Sequence, residues 1–130
     1  MATQPEQLKA RTKQFAIRIV RVFKGLPKSD EARIIGKQLL RAGTSVAANY
    51  RAVCRSRSKA EFISKMSVVL EEADESVFWL ELLFETNIIP EARLRDLLTE
   101  ANELLAIFAA SLWTAKQKRR SQSPNVSMTQ

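Results

Sequence analysis

From Ile63 to Phe84 apolar side chains return every three or four residues, at Ile63, Met66, Leu70, Ala73, Val77, Leu80 and Phe84. That spacing lines one face of an α-helix and conflicts with the two-residue alternation of a half-buried strand. The same pattern recurs three more times. Leu8, Thr12, Phe15, Ile19 and Val22 mark a first helix, and Ile35, Leu39, Ala42, Val46, Asn49 and Val53 a second. Leu94, Leu97, Leu98, Ala101, Leu105, Phe108, Leu112 and Ala115 mark a fourth.

The breaks between these runs carry their own signals. Gly25-Leu26-Pro27 stops the first helix, and Ser29 or Asp30 caps the second. Ser58-Lys59-Ala60-Glu61 has the serine-x-x-glutamate form of a capping box, so Ser58 and Glu61 are structural polar residues that start the third helix. Pro90 suits the first turn of the fourth. The spans expected are about 6–24, 30–56, 58–88 and 90–119. Glycine (3), proline (4) and tyrosine (1) are scarce and no Asn-Gly turn occurs, which leaves little with which to build hairpins. The fold class is all-α: an antiparallel up-and-down four-helix bundle, one domain over residues 1–120, with 121–130 a disordered polar tail.

The middle of the second helix is rich in small residues. Gly43, Thr44 and Ser45 are poor helix formers, yet they stand among Ala42, Ala47 and Ala48, a composition that lets a neighbouring helix approach closely. Asn49 falls on the apolar stripe, where an amide requires partners, and is read with Ser45 as structural, clamping a loop or adjoining helix. Cys54 is read as a small packed residue. With one cysteine and no histidine, an internal disulfide and a cysteine–histidine dyad are both excluded.

Charge points to a partner. The net charge is +7, which favours an anionic one, nucleic acid ahead of a membrane surface. Residues 1–25 hold six basic and one acidic residue and residues 28–57 seven and two, whereas 58–87 hold two and seven. The candidate phosphate contacts are therefore on the first two helices: Arg11, Arg18, Arg21, Lys37, Arg41, Arg51, Arg55 and Arg57. Two readings stand for the corner that Arg51, Arg55 and Arg57 share with Lys59: a phosphate-positioning patch or a solvated turn. The alternation of basic and acidic helices also permits mutual pairing, at ~0–1 kcal/mol per surface pair.

Glu71, Glu72, Asp74 and Glu75 do not converge, because adjacent residues point in different directions around a helix. They are read as a solvated face, and the protein as a non-enzyme with no metal and no cofactor. No apolar run approaches the ~20 residues that span a bilayer, and the expected location is cytoplasmic with no membrane partner. Phe78, Trp79 and Leu82 fall off the main stripe of the third helix. Either they flank a wide stripe or they form a second apolar face for self-association.

Leu40-Arg41-Ala42, Ser45, Ala48-Asn49, Ser58-Lys59-x-Glu61-Phe62 and the segment from Glu72-Ala73-Asp74-Glu75 to Trp79-Leu80 together resemble the bacterial four-helix family of proteins encoded in intervening sequences of large-subunit ribosomal RNA genes. Ala47, where many members carry proline, and Ala52, where an acid is usual, depart from that pattern. The resemblance implies a bundle that assembles as a ring, often a pentamer. Similar bundles include the accessory protein of diversity-generating retroelements, which binds nucleic acid and a reverse transcriptase. The leading expectation is a homo-oligomer that binds RNA or DNA through its basic helices. The alternative is a scaffold or accessory factor for a nucleic-acid-processing protein.

Overall fold

The computed structural model describes residues 3–121, so the tail expected from Ser121 onward lies outside the described residues after that position. Four helices follow one another: α1 (Gln4–Lys24), α2 (Asp30–Val53), α3 (Lys59–Glu85) and α4 (Glu91–Ser121). No strand occurs among the described residues. Each helix packs chiefly on the next in sequence, while α1 and α4 touch only sparsely.

The helix starts follow from their caps. Ser29 Oγ accepts from the Ala32 N–H at 3.3 Å, and Ser58 Oγ accepts from the Glu61 N–H at 3.0 Å. The return bond expected of Glu61 is replaced by an ion pair, with Lys65 Nζ 2.7 Å from Glu61 Oε1. A reciprocal box forms instead at α1. Thr3 N–H donates to Glu6 Oε2 at 3.2 Å and Glu6 N–H to Thr3 Oγ1 at 3.3 Å. It starts α1 at Gln4, ahead of the expected residue 6, because Pro5 sits in the first turn where its missing N–H costs nothing. α2 ends at Val53 and α3 at Glu85, each three residues short of expectation. Asn87, at φ 61°, turns the chain out of α3 in the left-handed region. Its N–H bonds to Phe84 O at 3.0 Å and that of Ile88 to Leu83 O at 2.9 Å, the paired bonds of a Schellman end.

One core joins all four helices. Phe15, Ile19, Leu39, Met66, Leu80, Leu83, Leu104 and Phe108 are its largest buried members, and truncating any of them to alanine costs ~2–5 kcal/mol. The inner face of α2 holds Leu39, Ala42, Val46 and Val53 as expected, but Gly36 and Tyr50 are buried in place of Ile35 and Asn49. Tyr50 is buried and stacks on Phe108 with ring centroids 5.7 Å apart, while Asn49 is only half-buried. The Asn49 amide donates to Ser45 O at 2.8 Å. It closes on its own helix and clamps nothing else, because the preceding turn offers a carbonyl within reach. On α3 the centre of burial moves to Val69, Ser76 and Leu83, leaving Ile63, Leu70 and Phe84 half-buried.

The small residues of α2 do what their density implies. α2 runs unbroken through Gly43, and a Cβ built there would meet Ile19 Cγ1 of α1 at 2.7 Å. The two helices approach closely at that level.

Candidate nucleic-acid interface

The eight basic residues expected to contact phosphate fall into three settings. Arg11 faces α4, where its guanidinium bonds to Glu100 at 2.9 and 2.7 Å and to Glu103 at 2.9 Å. Arg41 faces α3 and is held by Glu72 at 3.2 Å and by Glu75. These two charges are compensated within the chain. Arg18, Arg21 and Lys37 lie in the half of the bundle that holds the α1–α2 and α3–α4 connections. There, exposed Arg21, Lys24, Lys28, Arg33, Arg93 and Arg95 are interspersed with exposed Asp30, Glu31, Glu85, Glu91 and Asp96. With Arg18 and Lys37, eight cations stand there among five exposed carboxylates, which offset much of the charge.

The opposite end is different. There α1 begins, α2 ends, α3 begins and α4 runs out, so that Arg51, Arg55 and Arg57 are brought to exposed Lys9, Lys13, Lys59, Lys116, Lys118 and Arg120. The carboxylates nearby are Glu6, bonded to the Thr3 backbone, and Glu61, paired with Lys65. The Lys65 ammonium holds the Glu61 carboxyl below its ordinary value. Among the described residues none forms an ion pair with Arg51, Arg55, Arg57 or Lys59. It is the topology that adds the C-terminal cations of α4 to the α2–α3 corner.

Two grooves open in this basic end. One, of about 570 Å³, lies between α1 and α2 and is lined by Ala10, Thr44, Ala47 and Ala48, by the cations Lys9, Lys13 and Arg51, and by one carboxylate, Glu6. The other, of about 910 Å³, is floored by Val53, Phe62, Ile107 and Ala115 and rimmed by Arg57, Lys59 and Lys118. No acidic residue is among those lining it. Cys54 stands exposed at this groove, which corrects its expected packed role. It terminates α2, and its backbone N–H bonds to Tyr50 O at 3.1 Å. Burial, and then the neighbouring Cys54 thiol, push the Tyr50 phenol above its ordinary value. Ser56 Oγ is buried there without a hydrogen-bond partner.

The second expected surface lies on α3. Phe78 is 52% exposed, and Trp79 and Leu82 are half-buried. The two rings meet edge to face at 4.8 Å. Trp79 Nε1 donates to Glu75 Oε1 at 3.2 Å, extending the chain of contacts from Arg41. Because α2 and α3 are antiparallel and Arg41 meets Glu72 and Glu75, Ile34, two turns back on α2, lies level with Trp79 and Leu82. Ile34 is 65% exposed and widens this apolar patch. The periodicity had not singled it out, nor Trp113 on α4, which is also 65% exposed.

Among the described residues no cluster of three or more histidine, cysteine, aspartate or glutamate side chains is placed to hold a metal. No helix among them is long and apolar enough to cross a membrane. Fold and surface thus define an antiparallel all-α bundle with one basic end. Residues 6–110 match the family described as 23S rRNA-intervening sequence protein, and the chain belongs to that family. Among solved structures it is similar to a protein of unknown function from the S23 ribosomal protein family of Bacteroides thetaiotaomicron. The two are 34% identical, the match covers 80% of this chain and 96% of the other, and the TM-score is 0.75. No curated protein matches the sequence.

Proposed function

We propose that this protein is a non-enzymatic, cytoplasmic bundle that associates with copies of itself and binds RNA or another polyanion through its basic end. The observation that carries this reading is the convergence of Arg51, Arg55, Arg57 and Lys59 with the cations of the α1 start and the α4 end. Phosphate contacts of this kind carry no base code and release counterions. Arg11 and Arg41, held by carboxylates of α4 and α3, belong to the scaffold of the bundle. Anisotropy titrations of a labelled RNA at several salt concentrations test the reading. Affinity is expected to fall steeply with salt, and the double change Arg55→Glu and Arg57→Glu to flatten the slope by about two. Binding indifferent to salt, or to both substitutions, would overturn it.

A second reading has its own support in the exposed face of α3, where Glu71, Asp74 and Glu85 surround Phe78. This face repels nucleic acid and suits a protein. As a scaffold for a nucleic-acid enzyme, the chain would co-purify with that partner after nuclease treatment.

A further inference from the structure

We propose that the groove between the α2–α3 corner and α4 takes one unstacked nucleotide of a single-stranded nucleic acid. Its phosphate lies on Arg57 and Lys59 and its base against Phe62. The inference rests on the polyanion reading above and narrows it to a ligand class.

Two features of the groove have to be satisfied by the same ligand. Its rim is cationic, with no carboxylate among the lining residues, while its floor is formed by Val53, Phe62 and Ile107. A phosphate group alone would neutralise the rim and leave the apolar floor wet. A purely apolar ligand would cover the floor and leave the cations unused. A nucleotide carries both parts in one unit: a flat base that gains by stacking on an aromatic side chain and an anionic phosphate. The size agrees, since about 910 Å³ lies within the ~300–1,000 Å³ of small-molecule pockets.

The local structure favours the same orientation. α3 begins at this rim, directed there by Ser58, so the positive end of its dipole adds to Arg57 and Lys59. A base paired and stacked within a duplex cannot reach Phe62, which is half-buried in the groove. A base at a strand end or in a loop can.

The test compares a labelled single-stranded hexanucleotide with a duplex of the same sequence, using the full chain and two variants. Ala110 is exposed at the edge of the groove on α4, so Ala110→Trp fills the groove without entering the core. It is expected to weaken the single strand about ten-fold, a typical stacking contribution, and to leave the duplex within about two-fold. Phe62→Leu keeps apolar bulk without the ring and is expected to weaken the single strand several-fold. Adenosine monophosphate is expected to compete at lower concentration than inorganic phosphate. Single-strand affinity unchanged in both variants would overturn the nucleotide site, as would competition by phosphate equal to that by the nucleotide. In either case salt-dependent binding sensitive to Arg57→Glu keeps the broader reading intact. No binding of either oligonucleotide to the unmodified protein removes both.

Discussion

Arg11 crosses from α1 to α4, where Nη2 lies 2.7 Å from Glu100 Oε1 and 2.9 Å from Glu103 Oε1. These two helices are the least closely packed neighbours in the bundle, so the fork of hydrogen bonds spans its widest seam. The site is half-exposed and solvent screens it, which limits the pair to about 1 kcal/mol. Arg11→Gln is expected to lower Tm by roughly 3–5 °C in a domain of this size, and 1 M salt to shrink the difference. Thermal melts at two salt concentrations check this.

Two helical glycines of α2 are expected to respond unequally to alanine. At Gly43 a Cβ would lie 2.7 and 2.9 Å from the γ carbons of Ile19, a branched side chain fully buried in α1. Gly43→Ala should therefore cost about 1–3 kcal/mol, as overpacking does. At Gly36 the obstacles are the end of the half-buried Leu26 side chain, which can rotate away, and the edge of the half-buried Phe23 ring at 3.1 and 3.3 Å, which has to give by a few tenths of an ångström. There the gain of ~1 kcal/mol in helix propensity offsets the adjustment, and urea melts should show Gly36→Ala close to neutral.

Asn87 holds φ at 61°, a conformation that glycine adopts without strain and most other residues resist. Asn87→Gly is expected to leave stability unchanged or to raise it by a few tenths of a kcal/mol, and Asn87→Ala to lower it by about 1 kcal/mol. Equal unfolding midpoints for the two variants would contradict the role assigned to this turn.

Periodicity showed the four helices because each buries one continuous stripe, and that stripe is local information. It placed Leu39, Val46, Leu80 and Phe108 in the core, where they are. It put Asn49 on the α2 stripe, whereas the buried residue is its neighbour Tyr50. The outcome depends on Phe108, which arrives from α4 to stack on the ring. The basic residues show the same boundary. Their number was legible, but whether each would be compensated depended on which carboxylates the neighbouring helices present. Arg41 therefore meets Glu75 while Arg57 meets a groove without acids.

Glu75 should report acidification through its neighbour Trp79. Its carboxyl is held below the ordinary glutamate value first by the Arg41 guanidinium and then by the Trp79 N–H. A group depressed in the folded state stabilises fully above its unfolded pKa, and that contribution disappears as pH falls through the folded value. In a Trp113→Phe background, the fluorescence of Trp79 should change with a midpoint below the usual carboxylate range. Arg41→Met should move that midpoint upward. A midpoint indifferent to Arg41→Met would separate Trp79 from this network.

Phe78 and Ile34 expose apolar surface that α2 and α3 do not cover, and Trp79 and Leu82 continue it inward. The surrounding Glu71, Asp74 and Glu85 keep the patch soluble in a single chain, while the basic groove between α1 and α2 offers opposite charge to a second copy. Light scattering on nuclease-treated protein is expected to give several times the 14.7 kDa of one chain. Phe78→Asp should reduce that mass to the single-chain value with little loss of helical signal, because a residue this exposed contributes little to folding. Trp79→Ala should reduce it too, but also lower Tm, since its indole is half-buried and bonded to Glu75. A single-chain mass for the unmodified protein would show that the aromatic pair serves the bundle alone.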